Sequence, residues 1–452
     1  MHTMTRLILA IALLSRMTSA TAQDLMEVYA LALKNDTTLS SAKYGNQAAQ
    51  EKLVQGKALF KPTISLNSSA NHSDTDIKYV GSDNVFRNAG RESFETYQYG
   101  VNINQPIFRK QIWAQYAQAK SQVAQADLQL LATQQDLMLR TSQAYFDVLL
   151  AQDNIDLIAA QKSAISQQRA QAKGNFDAGV ATITDVYDTQ AKYDLVVAQE
   201  IAAVNQLKVK QRALQTIIGK TPGRLATLDT TEEPQPPQPG TIEPWLQLAE
   251  QNNLAVTVQQ QNLEIATQEV DKQNAGHMPM LDAVGSYTDS RSDNGINGFG
   301  TNLKNGTIGL QLQIPIYQGG AIDSKVREAV ANKLKAQEDV ETAKRKAEQD
   351  TSQAFWDTIS SISQIRAYDQ ALISGQGQVD ATTKGYQVGL RTTVDILNAQ
   401  QQLFTAKRDL LQARYSYWIN SMKLKAATGM LNNEDLIAIN LKLNRSESAL
   451  GR

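Results

Sequence analysis

The 452-residue sequence contains no cysteine. Disulfides and thiolate metal sites are therefore excluded, and so is a lipid anchor attached through an N-terminal cysteine. Histidine is nearly as scarce: His2, His72 and His277 are the only three, at scattered positions. Such a stock poorly supplies a histidine-based metal cluster or a Ser-His-Asp triad. No phosphate-binding loop or catalytically spaced carboxylate pair stands out either, so the chain reads as no enzyme, with no metal or cofactor. Neither charge sign dominates: 44 Lys+Arg face 45 Asp+Glu, a net charge of -1. No basic field awaits nucleic acid. Long apolar runs are also missing. Past the N-terminus nothing nears the roughly 18 apolar residues of a membrane-crossing helix, so a chain that spans a membrane must do so as β-strands.

At the N-terminus, Arg6 precedes the apolar run Leu7 to Leu14, and small residues follow as far as Ala20-Thr21-Ala22. This pattern reads as a secretory signal, residues 1–22, with Gln23 left first.

Proline is scarce and unevenly spread. Of ten, six (Pro222, Pro234, Pro236, Pro237, Pro239, Pro244) crowd one segment. That stretch separates two similar halves. Thr141-Ser142-Gln143-Ala144-Tyr145-Phe146-Asp147 returns 210 residues later as Thr351-Ser352-Gln353-Ala354-Phe355-Trp356-Asp357. At the same offset Phe176-Asp177-Ala178-Gly179-Val180 returns as Tyr386-Gln387-Val388-Gly389-Leu390, followed by Thr182, Asp185 and Gln190 as Thr392, Asp395 and Gln400. Matches in conserved order over this span mean a tandem duplication. The chain then divides into a signal (1–22), a first repeat (23–231), a Pro-rich semi-rigid linker (232–244), a second repeat (245–430) and a C-terminal segment (431–452). The remaining prolines, Pro62, Pro106, Pro279 and Pro315, sit in matching places of the two copies and should mark junctions between element types.

Between those prolines the periodicity is two. Tyr97, Tyr99, Val101 and Ile103 alternate with polar residues or glycine, as do Ile308, Leu310, Leu312 and Ile314. This predicts strands with one apolar face, each with a less regular partner near Thr63–Ser73 and Met280–Ser290, hence two hairpins. Tyr97 and Tyr99 suit an interfacial aromatic belt or plain strand packing equally well. Elsewhere the chain predicts very long helices. Gln111 to Lys173 is rich in Ala, Gln, Leu and Lys, good helix formers, and about 60 such residues extend roughly 90 Å. In the second copy Ile396, Leu403, Leu410, Tyr417 and Leu424 fall seven apart, and so do Leu397, Phe404, Leu411 and Trp418. Two adjacent heptad stripes suit a helix with neighbours on both sides, as in a wall, although a two-helix coiled coil also explains one stripe.

Each repeat also contains a turn, at Gly179 and Gly389. Glycine there permits the left-handed conformation that ends a helix. Thr182-x-x-Asp185 and Thr392-x-x-Asp395 then read as capping boxes opening the returning helices.

Four amphipathic strands cannot close a barrel, and an open sheet edge cannot lie in lipid. Copies must pool their strands around a closed ring; two, three or four copies give eight, twelve or sixteen strands, and spacing does not choose among them. The arrangement resembles the TolC family of outer-membrane efflux and secretion channels, from Gln23 to about Leu443. The resemblance is carried by residues 175–186 and 385–397, by Ala413-Arg414-Tyr415-Ser416-Tyr417-Trp418-Ile419-Asn420, and by Leu431-Asn432-Asn433-Glu434-Asp435-Leu436. It implies an α+β membrane protein: a homotrimeric twelve-stranded β-barrel, four strands per subunit, continued by a long α-helical barrel. A belt would be built from the linker and the C-terminal segment. It further implies an outer-membrane location with a long periplasmic extension, a periplasmic adaptor (membrane fusion) protein, an inner-membrane efflux or ABC-type secretion pump, and a cargo of toxic small molecules, proteins or both. Carried over by position, Thr184, Asp185, Tyr386 and Arg391 would latch the periplasmic entrance, alongside or instead of capping. Asp395 matches one ring of entrance carboxylates. Asn398 stands where a second acidic ring is expected, with Asp188 at the equivalent site of the first copy. The competing class is a structural or adhesive trimeric coiled coil without a pore, which a second hairpin inside the stalk disfavours.

Overall fold

The computed structural model describes residues 22–78, 90–228, 233–295 and 299–444. The expected signal lies outside these residues apart from Ala22, as do Glu232 of the linker and residues 445–452 of the C-terminal segment. The first copy supplies α1 (Leu25–Asn35), α2 (Thr37–Ala58), β1 (Thr63–Ile77), β2 (Gly90–Arg109), α3 (Lys110–Asp177) and α4 (Ile183–Ile218). After the short β3 (Thr227–Leu228), the second supplies α5 (Glu243–Asn252), α6 (Leu254–Asn274), β4 (Met280–Ser292), β5 (Thr301–Gln313), α7 (Ala321–Gln387) and α8 (Thr393–Ala427). The chain closes with α9 (Asn433–Asn440) and β6 (Leu443–Asn444). α3 and α7 run for 68 and 67 residues without a proline, as their helix-forming composition dictates.

Two compact units result, and each draws on both copies. One takes its described residues from Met1–Tyr44, Leu128–Thr257 and Thr342–Arg452, the other from Gly45–Asp127 and Val258–Glu341.

The second unit holds a four-stranded antiparallel sheet in the order β1-β2-β4-β5. Register aligns like residues across it. One row runs Ile64, Ile103, Gly285, Ile308; the next runs Leu66, Val101, Tyr287, Gly306. Because successive side chains face opposite ways, Ser65, Asn102, Ser286 and Thr307 form a polar row on the other face. The apolar face is open: Ile64, Leu66, Ile308 and Leu310 are exposed. Each of these two rows includes one glycine, Gly285 beside Ile103 and Gly306 opposite the Tyr287 ring. β1 and β5 are the sheet's outer strands, and neither has a strand partner on its far side among the described residues.

Three of the four spaced prolines stand beside strand ends: Pro62 and Pro279 directly before β1 and β4, Pro315 just past β5. Pro106 departs from that expectation. It lies inside β2, which continues to Arg109 across a register shift between Pro106 and Phe108. A bulge tolerates the missing N–H donor. Just beyond it, the Arg109 guanidinium grips the Asp282 carboxylate of β4, Nε to Oδ1 at 2.8 Å with NH2 on Oδ2.

In the first unit α8 packs on two sides. Leu397 joins Ile158, Ile165, Val196 and Ala203 of α3 and α4. Leu410 and Tyr417 join Ile362 and Ile365 of α7, and Leu424 joins Trp245 and Phe355. The two heptad stripes thus bring α8 neighbours on more than one side, Leu397 towards α3 and α4 and Leu410, Tyr417 and Trp418 towards α7, which a two-helix coiled coil would not need. Burying each such side chain stabilises by about 1.5–3 kcal/mol. The largest core surrounds Tyr145, Phe146 and Tyr415 and draws in Leu25, Val28, Leu225, Leu436 and Leu443. Here Tyr145 donates its hydroxyl to the Ala226 carbonyl at 2.8 Å, Gln23 bridges to Leu225, and β3 pairs antiparallel with β6. The opening and closing segments of the first repeat and the C-terminal segment meet in one node.

Candidate functional site at the two duplicated turns

Both turns lie in the first unit and are built alike. At the end of α3, Gly179 (φ +73°) donates to the Phe176 carbonyl at 2.9 Å and Val180 to Asn175 at 2.9 Å. At the end of α7, Gly389 (φ +78°) donates to Tyr386 at 3.0 Å and Leu390 to Gly385 at 2.8 Å. This paired 6→1 and 5→2 bonding is a Schellman ending, which a left-handed glycine makes possible. Both returning helices open with the expected capping box: the Asp185 N–H donates to the Thr182 hydroxyl and the Thr182 N–H to the Asp185 carboxylate, repeated at Thr392 and Asp395.

The caps decide what the acidic residues can do. Asp185 uses only Oδ2 among the described residues, taking the Thr182 N–H at 3.2 Å and hydroxyl at 2.8 Å. Asp395 does the same, at 2.9 and 3.0 Å. The Thr392 backbone N–H, then its hydroxyl, then the nearby Arg391 charge hold the Asp395 carboxyl below its ordinary range.

Tyr386 meets a residue the sequence did not single out. Its phenolic oxygen accepts a hydrogen bond from the Asn175 carboxamide at 3.0 Å, tying α7 to α3 within one chain. Tyr386 keeps its own O–H to donate. Arg391 is exposed and makes no ion pair with Asp185 within the chain; its stem lies against Gly385, where an added Cβ would come 2.8 Å from the Arg391 Cγ. Thr184 and Asn398 are exposed, and Asp188 is half-buried.

A signal for Asn175 does exist in the sequence. At the 210-residue offset Asn175, Phe176 and Ala181 correspond to Gly385, Tyr386 and Arg391. The copies keep their turn glycines and caps and diverge at the three positions that make this contact and this clearance. Farther along α3 and α8 the copies are joined again. Gln161 donates to Gln401 at 2.9 Å, and the Tyr415 hydroxyl donates to Asp153 at 2.6 Å. Burial pushes the Asp153 carboxyl up, the Tyr415 bond pulls it partly back, and the Asp156 charge raises it further.

The family profile of the outer membrane efflux proteins matches residues 28–220 and 245–430. The outer membrane protein TolC of Vibrio cholerae is 34% identical over 424 residues, covering 93% of this chain and 94% of its own length. The proteases secretion protein PrtF of Dickeya chrysanthemi is 28% identical over 429 residues, 93% of this chain and 91% of its own. The solved structure of the outer membrane protein VceC from Vibrio cholerae superposes with a TM-score of 0.75 at 20% identity, covering 90% of this chain and 96% of that one.

Proposed function

Because the chain belongs to the outer membrane efflux protein family, and so is an outer-membrane efflux and secretion channel rather than an enzyme, we propose that it works as a homotrimer whose pooled strands form a twelve-stranded barrel. The barrel continues into a helical barrel on the periplasmic side, with a belt from the linker and C-terminal segment, whose β6 pairs with β3 at the end of the first repeat. The observation that carries this is the four-stranded sheet: it has adjoining apolar rows on one face and two outer strands open on their far sides among the described residues. Such edges are untenable in lipid. Neighbouring copies that pair β5 with β1 remove both edges at once.

The partners are a periplasmic adaptor protein and an inner-membrane pump of the efflux or ABC secretion type. The cargo is toxic small molecules, proteins, or both. At the periplasmic entrance Tyr386, Arg391, Asp185 and Thr184 form the latch. The free Oδ1 of Asp185 accepts a charge-assisted hydrogen bond from the Arg391 guanidinium of a neighbouring copy, while the Tyr386 O–H donates outward. Asp395 sets a ring of carboxylates at one level that favours cations, with Asp188 nearby and Asn398 leaving the next level neutral.

Mass measurement on the detergent-solubilised protein, paired with conductance in planar bilayers, tests the assembly. Three chains per particle and a steady pore are expected. A water-soluble monomer without conductance overturns the reading.

A further inference from the structure

The apolar surface of the sheet does not stop where the first hairpin ends. At the junction of β2 with α3, Ile107, Phe108 and Trp113 are 55%, 46% and 58% exposed. Phe60, just past α2, stands edge-on to Trp113 at 5.2 Å and to Tyr116 at 5.8 Å. Gly56 of α2 fits against Tyr116, leaving room for a Cβ only at 3.2 Å. One chain therefore completes this aromatic cluster without a neighbour. All of these residues lie in the sheet-bearing unit.

The two first-copy segments that build the cluster carry charge of one sign, and the nearby carboxylates Glu269 and Asp282 are already engaged, by Gln118 and Lys272 and by Arg109. No Asp or Glu occurs from Lys52 to Ser73 or from Thr96 to Ala126. Arg109 is neutralised by Asp282. Lys57, Lys61 and Lys110 are exposed and make no ion pair among the described residues. The matching junction of the second copy is balanced instead: His277 faces Asp323 at 3.3 Å and Lys272 pairs with Glu269 at 2.5 Å. In a chain of net charge -1, this is a local basic patch on one repeat only.

Aromatic rings with an apolar body and a polar edge settle at the headgroup level of a bilayer. Lysines beside them attract anionic lipid within a Debye length. We propose that the first-copy junction binds anionic phospholipid headgroups of the periplasmic leaflet, with Phe60, Trp113 and Tyr116 at headgroup depth and Lys57, Lys61 and Lys110 on the phosphates. Two features select this occupant: the patch continues the lipid-facing apolar rows of β1 and β2, and its charge complements an acidic headgroup. The second repeat lacks the patch, so each chain carries one.

The inference rests on the membrane position of the strands and not on the entrance latch. The full-length channel is reconstituted in phosphatidylcholine vesicles containing either brominated phosphatidylglycerol or brominated phosphatidylcholine at equal mole fraction. The Trp113 signal is taken as the difference between the native protein and Trp113→Phe. Brominated phosphatidylglycerol should quench it roughly twofold or more beyond brominated phosphatidylcholine. Lys57→Gln/Lys61→Gln/Lys110→Gln should abolish that preference and leave conductance and quenching by phosphatidylcholine unchanged. Equal quenching by both lipids, a preference that survives the triple substitution, or a Trp113 shielded from both overturns the proposal. Conductance retained in the triple variant keeps such a failure separate from any failure of the channel reading.

Discussion

The Asn175 carboxamide donates to the Tyr386 phenolic oxygen across 3.0 Å, joining the last turn of α3 to the last turn of α7. Since the nitrogen is the donor, the tyrosine is held by one partner while its own proton stays available for another. A residue placed this way has one partner within its own chain and a proton left for the neighbouring copy proposed above.

Tyr386→Phe removes both bonds, and Arg391→Ser removes the guanidinium. Surface contacts of this kind contribute about 0.2–1 kcal/mol each, so a single loss shifts the open fraction modestly. Together, repeated around a ring, Tyr386→Phe/Arg391→Ser should raise single-channel conductance in planar bilayers. Asn175→Ala alone should give a smaller rise. Unchanged conductance in the double variant would remove the latch from the account.

Gly385 is needed for clearance, not for a left-handed turn. Gly385→Ala should push the Arg391 side chain out of place and reproduce part of the Arg391→Ser conductance. Gly385→Ala/Arg391→Ala should then match Arg391→Ala alone, because the clash has gone. If the double variant is additive, the 2.8 Å approach has no functional weight.

Asp395 caps α8, and in the proposed reading its charge also lines the entrance. Its carboxyl lies below the ordinary range because Thr392 donates to it. Its capping contribution is therefore fully present above the unfolded value and is lost as pH falls through the depressed folded value. Asp395→Asn keeps an acceptor for the cap but discards the charge. Reversal potentials in a salt gradient should show reduced cation preference, and divalent or trivalent block should weaken, with the fold intact. Block that persists in Asp395→Ala would reassign the entrance carboxylates.

Asp153 has the opposite sign. Burial raises its carboxyl, so the fold disfavours its charged form. That cost is absent below the ordinary carboxylate range, grows as pH rises towards the raised value and is complete above it. Tyr415→Phe removes the one donor that offsets it and should cost about 1–3 kcal/mol at neutral pH, less in acid. Thermal unfolding at acidic and neutral pH measures the difference. A pH-independent loss would mean that Tyr415 acts through packing alone.

Much of this was legible in the residues themselves. The apolar rows on β2 and β5 follow from the alternation around Tyr99 and Leu310, and the capping boxes from Thr182 and Thr392. The neighbours of α8 follow from two stripes one residue apart. The extent of β1 was less visible. Beyond Ala70 the strand runs through Asn71-His72-Ser73-Asp74-Thr75-Asp76 with both faces polar, so alternation vanishes while the ladder to β2 continues. There Arg91 and Asp74 pair at 2.5 Å in place of apolar packing. The Asn175 and Asp153 bonds were not legible from either copy alone, because they arise where the helices of one repeat lie against those of the other. Comparing the copies for their differences as well as their likenesses exposes the first of them.

The node that ties Gln23 to Leu225 and β3 to β6 also orders events in time. Synthesis and translocation deliver Leu25 and Val28 first and Leu436 and Leu443 last, yet all four belong to one core. That core is not sealed until the segment bearing Leu436 and Leu443 joins the one bearing Leu25 and Val28. The segment carrying α9 and β6 is thus the stitch that closes a core begun at α1.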